Sequence, residues 1–243
     1  MSWAPAGLPV PPSVLLTSGP GSVAAAGAVL PWGPVRFSTE DLVKVLLLFA
    51  VWLVVSALLA FFIGGINPAR LVARALGVDL AAEGSGNPGA TNAGRVMGPR
   101  WGVLVGVLDV AKGWLPTVLV MRYAGGLAAW VAVFLVLGHV FSPYLRGRGG
   151  KGAATAFGTV LALRPWWALV LLGLFVLGAL VLRKVAVGSM LASFALVVLG
   201  LAREQDGLIR FWAVAVGVIV LARHTENIKA LLGRFGGAPG PRS

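Results

Sequence analysis

The sequence predicts an all-α integral membrane protein with about seven transmembrane helices, and three observations predict it. Of the 243 residues, 58% are hydrophobic and only 12% charged, whereas a soluble globular chain is about one quarter charged. Mean hydropathy is +0.91, and the apolar runs are continuous instead of alternating as a lipid-facing β-barrel requires. Lysines and arginines cluster beside those runs. The formal charge of +12, from 20 basic and 8 acidic residues, therefore reads as topology and an anionic partner, and no nucleic-acid partner is expected.

Residues 1–40 hold 7 of the 15 prolines, with much Ala, Gly and Ser. Proline at that density opposes a helix, and a basic n-region is missing, so a flexible Pro/Gly/Ala-rich extension is expected, not a signal peptide. The membrane domain runs over 41–232, followed by a flexible tail at 233–243. Its first span, 42–64, is preceded by Glu40 and Asp41 and carries Lys44 near its start. A polar, glycine-rich stretch follows at 67–100. Further spans are expected at 101–121, 124–144, 153–163, 166–182, 185–202 and 208–222. A crossing takes about 20 residues, so the fourth span should tilt or extend into 149–152. Five spans with two re-entrant segments is the alternative.

Orientation follows from the basic residues. A seven-span alternation puts 67–100, 145–152, 183–184 and 223–243 on one side. Those segments hold 13 of the 20 lysines and arginines, against 6 on the other side, with Lys112 inside a span. The bias puts the N-terminus outside and the C-terminus in the cytoplasm.

Three polar segments then share the cytoplasmic face. In 84–95, twelve residues from Gly84 to Arg95 contain no bulky apolar side chain. Glycine lets backbone N–H groups approach an anion. Ser85, Asn87, Thr91 and Asn92 add neutral donors, and Arg95 supplies a fork suited to phosphate. An ordinary solvated loop is the bland alternative. In 138–152, His139 closes a span, and Gly149-Gly150-Lys151-Gly152 sets a lysine among glycines where a helix N-terminus would attract an anion. Arg146 and Arg148 are read as the topology signal alone. A lone histidine at a helix end is more often structural than catalytic. In 223–228, His224 and Asn227 stand at i, i+3 and share a face if the segment is helical. Asp109 and Lys112 form an intramembrane pair at the same spacing, either structural or pocket-lining.

Several chemistries are excluded. There is no cysteine, and the two histidines lack metal-ligand spacing, so no metal or other cofactor is expected. Leu145 and Gly152 break a Walker A pattern. No Gly-x-Ser-x-Gly elbow occurs. Where a His-x₄-Asp dyad would place its aspartate, His139 is followed by Tyr144 and His224 by Lys229, which argues against an acyltransferase of that kind.

The motifs occur in the order Gly-Ser-Gly-Asn-Pro-Gly-Ala-Thr-Asn…Arg, Asp-x-x-Lys-Gly, Gly-His-x-Phe…Gly-Gly-Lys-Gly-x-Ala-Thr and His-x-Glu-Asn-Ile. This order resembles the bacterial acyl-phosphate-dependent glycerol-3-phosphate acyltransferases, the PlsY family, over about 42–232. The resemblance implies a multi-pass enzyme of the cytoplasmic membrane with its active site on the inner face. It would move a fatty acyl group from acyl phosphate to the 1-hydroxyl of sn-glycerol 3-phosphate, giving lysophosphatidate and phosphate at the first step of phospholipid biosynthesis. Acyl phosphate, glycerol 3-phosphate and membrane lipids are then its partners, with the soluble enzyme that makes acyl phosphate as a further one.

Carried across by motif, Lys151, His224 and His139 are the expected catalytic residues. Ser85, Asn87, Thr91, Asn92, Arg95, Gly149, Gly150 and Asn227 are expected to bind substrate phosphate, supported by Asp109, Lys112 and Glu226. The chain departs from the family pattern at Thr225, where many members carry Arg, and at 64–68, where Gly-Gly-Ile-Asn-Pro replaces Gly-Ser-Ile-Pro. A small transporter for a phosphorylated solute is the runner-up, although its polar site should sit at the bilayer midplane. A CDP-alcohol phosphotransferase needs an Asp-rich metal motif, and the cytoplasmic segments contain one Asp, Asp79.

Overall fold

The computed structural model describes residues 29–30, 33–34, 38–181 and 183–229. Most of the expected 1–40 extension and the whole of the 233–243 tail lie outside the described residues. The chain divides into two units, Met1–Trp52 and Leu53–Ser243.

In the first unit, β1 (Val29–Leu30) and β2 (Gly33–Pro34) form a two-residue antiparallel pair. It is the only strand pair among the described residues. Helix α1 (Thr39–Gly65) begins here. The Ser38 hydroxyl accepts from the Asp41 amide and the Ser38 amide donates to the Asp41 carboxylate, both at 3.1 Å, a reciprocal cap that satisfies two otherwise orphaned donors.

The second unit contains the rest of α1 and, among the described residues, eight further α-helices. These are α2 (Pro68–Ala75), α3 (Ala90–Met97), α4 (Pro99–Ala124), α5 (Ala128–Val140), α6 (Ala153–Leu163), α7 (Pro165–Val181), α8 (Val185–Arg203) and α9 (Gly207–Ala222). A short helical segment continues at 225–229. The seven apolar runs of the sequence reappear as α1 and α4–α9, so the protein is an all-α integral membrane bundle. Helices α2 and α3 occupy the polar stretch, for which the sequence predicts no helix. Three helical stretches are long and apolar enough to cross a bilayer, Thr39–Ala75, Pro99–Leu145 and Val185–Arg203, and three shorter apolar helices are α6, α7 and α9.

The shortness of α6 has a packing reason. Eleven residues reach about 16 Å at helical rise, roughly half the hydrocarbon thickness. Thr155, Ala156, Gly158, Thr159, Val160, Ala162 and Leu163 are all buried, so α6 is an interior helix wrapped by its neighbours. Its approach to α4 is set by two glycines: a Cβ on Gly113 would lie 2.1 Å from the Thr155 carbonyl oxygen, and one on Gly158 2.1 Å from that of Val110. Small residues let membrane helices meet backbone to backbone where no water drives them together. Polar groups inside this interior are paired. Trp212 Nε1 donates to Thr159 Oγ1 at 3.2 Å, and Thr159 donates to the Ala156 carbonyl.

The main core joins Val136 and Val140 of α5, Val160 of α6, Leu196 of α8 and Trp212, Val216 and Val220 of α9. A smaller core, Ala69, Ala73, Leu80, Ala93 and Val105, anchors α2 and α3 to α4. Beyond the C-termini of α6 and α8, Arg164 pairs with Glu204 at 2.7 Å. The other ends of these helices carry the polar segments.

Candidate active site

The first wall is built from the 76–89 loop and α3. Asn67 caps α2 by accepting from the Arg70 amide at 2.9 Å, and its Nδ2 donates to the Pro88 carbonyl at 2.9 Å. Asn92 is buried and does the same work from the other side. Its Oδ1 accepts from the Ser85 amide at 2.8 Å, and its Nδ2 donates to the Glu83 carbonyl at 3.2 Å. These two amides pin a loop that has little apolar surface of its own. On α3, Thr91 and Arg95 are i, i+4 and so share a face. Both are exposed, while Asn92 and Ala93 are buried.

The second wall is the 141–152 turn leading into α6. The Ser142 hydroxyl donates to the Gly65 carbonyl at 2.7 Å. The amides of Gly149 and Gly150 donate to the carbonyls of Val140 and His139, both at 3.1 Å. Gly152, at φ +85°, is the N-cap of α6. The third wall follows α9. His224 Nδ1 donates to the Val220 carbonyl at 2.8 Å; a carbonyl only accepts, so the ring proton is on Nδ1 and Nε2 is left as the acceptor. Lys151 Nζ donates to Asn227 Oδ1, and Arg223 Nη2 to the Gly149 carbonyl at 3.3 Å.

The three walls enclose one cavity of ≈ 1410 Å³. Of the residues singled out in the sequence, Ser85, Asn87, Thr91, Asn92, Arg95, Asp109, His139, Lys151, His224 and Asn227 line it. Gly149 and Gly150 do not. Their amides already point inward, which corrects the expectation that these two N–H groups are offered to phosphate. The starts of α3 and α6 do border it: Ala90 and Thr91, and Gly152, Ala153 and Ala154, line the space. Neither helix has a side-chain cap, so first-turn N–H groups are unsatisfied and carry the positive end of the helix dipole. Glu226 turns away; it is exposed and pairs with Lys229 at 3.0 Å.

The cavity continues between α4, α6, α7 and α8 along apolar side chains that include Val107, Trp114, Phe157, Leu172 and Phe175. Sequence reading missed four polar lining residues there. Arg183 and Lys184 were absorbed into the topology count. Ser189 and Ser193 stand at i, i+4 inside an apolar span, a spacing that was available as a signal. Both are buried, and their hydroxyls donate to carbonyls four residues back.

Electrostatics favour anions. Burial holds Lys151 below the usual lysine value, and the nearby Arg223 charge adds to this. Burial also holds His224 below the usual histidine value, opposed by its bond to Val220 and assisted by the charges of Lys151 and Arg223. Arg223 Nε is a buried donor without a partner among the described residues. The site thus combines crowded cations, open helix ends and an apolar trough, as an amphiphilic phosphate compound would require.

A family model described as Glycerol-3-phosphate acyltransferase matches residues 53–234. A glycerol-3-phosphate acyltransferase of Thermus thermophilus is 43% identical over 192 residues, covering 75% of this chain and 91% of the relative. That of Geotalea daltonii is 38% identical over 175 residues, covering 71% and 90%. Two crystal structures of PlsY (YgiH), an integral membrane glycerol 3-phosphate acyltransferase, are similar. The glycerol 3-phosphate form is 34% identical with a TM-score of 0.70, and the lysophosphatidic acid form 32% with 0.68; each match covers 74% of this chain and 92% of the other.

Proposed function

Because the chain belongs to the glycerol-3-phosphate acyltransferase family, of PlsY type, we propose that it acylates glycerol 3-phosphate with acyl phosphate as donor. The 1-hydroxyl oxygen attacks the acyl carbonyl carbon, and the bond from that carbon to the phosphate oxygen breaks. Inorganic phosphate leaves with the electron pair, and 1-acylglycerol 3-phosphate remains. An acyl phosphate is already activated, so proximity and charge stabilisation are the main demands on the protein.

The observation that carries this reading is the single cavity in which Arg95, Lys151 and two uncapped helix N-termini meet an apolar trough. Two phosphoryl groups and one acyl chain need those three features together. In this reading Arg95, Thr91 and Ser85 hold glycerol 3-phosphate beside the start of α3. Lys151 and the first turn of α6 hold the phosphate of the donor, and Asn227 orients Lys151. The proton of the attacking hydroxyl passes to His224 Nε2 or to a phosphate oxygen of the substrates. A His224→Ala enzyme that keeps most of its kcat assigns it to phosphate, and one that loses its acid limb assigns it to the histidine.

The donor is tested with purified protein, labelled glycerol 3-phosphate, and palmitoyl phosphate against palmitoyl-CoA. Product with the first and none with the second is expected; product from the thioester alone would overturn the reading. Seven spans with the cavity open to the cytoplasm complete the proposal, supported by the 13-to-6 charge bias. The chain has no cysteine, so a single Asn87→Cys variant reports orientation without background. A membrane-impermeant thiol reagent should label it in inside-out vesicles and not in intact spheroplasts.

A further inference from the structure

Asp109, Lys112 and His139 form a buried charged cluster that the scheme above leaves unused. Lys112 Nζ lies 2.7 Å from the Ile66 carbonyl oxygen, 2.9 Å from Asp109 Oδ1 and 3.0 Å from His139 Nδ1. An ammonium carries three protons, and three partners surround this one; the same His139 Nδ1 lies 3.3 Å from Asp109 Oδ1. Thr155 Oγ1, in the first turn of α6, stands 3.1 Å from the same Nδ1. The end of α1, the middle of α4 and the end of α5 therefore meet at one lysine, and the start of α6 joins them through His139. Ionisable groups inside a membrane bundle are costly unless fully hydrogen-bonded, so the cluster calls for a role.

That role lies on the far side of the imidazole. The Gly150 amide donates to the His139 carbonyl and the Gly149 amide to that of Val140. A Cβ on Gly150 would fall 2.3 Å from His139 Nε2, and one on Gly149 1.9 Å from the His139 carbonyl oxygen. The glycine turn lies against the Nε2 edge of the ring and against the backbone at the end of α5, and the next residue is Lys151. A displacement of His139 reaches Lys151 across a single peptide. Nδ1 faces Lys112, Asp109 and Thr155 and is engaged inside the cluster.

We propose that Asp109, Lys112 and His139 are positioning residues: the ion pair locks the imidazole as a platform for the 149–152 turn, and the platform sets where Lys151 Nζ sits. The proposal rests on the assignment of Lys151 to substrate phosphate made above. It changes the expected part of His139 from a catalytic contact with the substrates to placement.

The test compares His139→Ala and His139→Asn in the acyl-transfer assay, using the donor that the wild-type protein accepts, with monodispersity and the thermal midpoint recorded for each. Asparagine offers an acceptor oxygen near the Nδ1 position and no titrating nitrogen. His139→Ala should lower kcat about 100-fold, the scale of a 1 Å misplacement. His139→Asn should regain at least about tenfold of that loss and keep the wild-type pH profile. A folded His139→Asn enzyme as inactive as His139→Ala, or one that has lost a limb of its pH profile, overturns the proposal. If His139→Ala does not fold, the Asp109→Asn/Lys112→Met double variant removes the pair without stranding a lone charge. A folded double variant with kcat reduced about tenfold or more supports placement, and wild-type turnover refutes it. Lys151→Ala in the same assay separates the two claims: near-wild-type turnover there refutes the phosphate assignment, whereas an inactive Lys151→Ala beside a fully active His139→Ala refutes only the platform.

Discussion

The two glycine-rich stretches, 84–89 and 149–152, look alike in sequence and carry glycine for different reasons. In the first, Gly84 and Gly86 adopt φ of +63° and +67°, and the loop is held from below by Asn92 and Asn67. Glycine there serves backbone conformation and, at Gly84, also the close approach of Asn92 Oδ1. In the second, Gly149 and Gly150 are buried, and what requires glycine is the close approach of His139. Both stretches end by opening an uncapped helix into the cavity, α3 from Gly89 and α6 from Gly152. The first is thus an exposed loop tied by amides, and the second a buried turn resting on a charged platform. A small change should be absorbed in the former and transmitted to the chemistry in the latter.

The largest expected effect tests the second stretch at its functional end. Lys151→Ala should reduce kcat at least about 100-fold, the size of removing one transition-state donor, and steady-state kinetics on a folded variant would show it. Gly150→Ala comes next. A methyl driven into the His139 ring should destabilise by about 1–3 kcal/mol and lower kcat by tens of fold through misplacement of Lys151, read from thermal unfolding alongside turnover. In the first stretch, Asn92→Ala leaves the Ser85 amide and the Glu83 carbonyl without partners. It should cost about 1–3 kcal/mol and act mainly on KM for glycerol 3-phosphate. Equal damage to kcat would mean that the two stretches are not functionally distinct.

Arg223→Gln probes the charge over the second stretch. Removing that charge makes the protonated forms of Lys151 and His224 easier to hold. Lys151 acts as an ammonium, so its activity limb falls as pH rises through its depressed pKa; a basic His224 gives a limb that falls as pH drops through its own. Both limbs should move to higher pH, by less than about one unit since burial is the larger cause. A downward move of either limb contradicts the electrostatic account. The smallest effect belongs to Gly86→Ala: a left-handed alanine costs about 1–2 kcal/mol, and turnover of the folded variant should stay within about threefold of wild type. Should Gly86→Ala and Gly150→Ala prove equally damaging to kcat, the contrast between the loops fails.

Much of the architecture was legible because membrane burial writes itself into composition. The seven apolar runs coincide with α1 and α4–α9 to within a few residues, since a span must be apolar along its whole length. The 67–100 stretch was less legible. Helices α2 and α3 are eight residues each and Gly-containing or capped by Asn67, with their stability coming from the Ala69–Leu80–Ala93–Val105 contacts to α4 and not from local propensity. The cavity residues could be named from residue chemistry and motif order, yet their division of labour could not. Asn92 reads as a phosphate donor and in the fold braces Ser85. Gly149 and Gly150 read as an amide cradle and in the fold donate to α5. Glu226 reads as a support and faces outward to Lys229. Ser189, silent in the sequence, and Arg183, read there only as a topology signal, line the cavity because α7 packs on α6 and α8 on α7.

The amino-acid string alone determined the helical membrane class, the anionic character of the ligand and the family, because hydropathy, net charge and ordered motifs are properties of the chain before it folds. Tertiary structure decided which amides remain free, which histidine nitrogen can accept a proton, and which charges are neutralised in the interior. Those depend on pairings between residues far apart in the chain, such as Lys112 with His139 and Lys151 with Asn227. A hydrogen bond gives one donor to one acceptor, and only folding determines the partner.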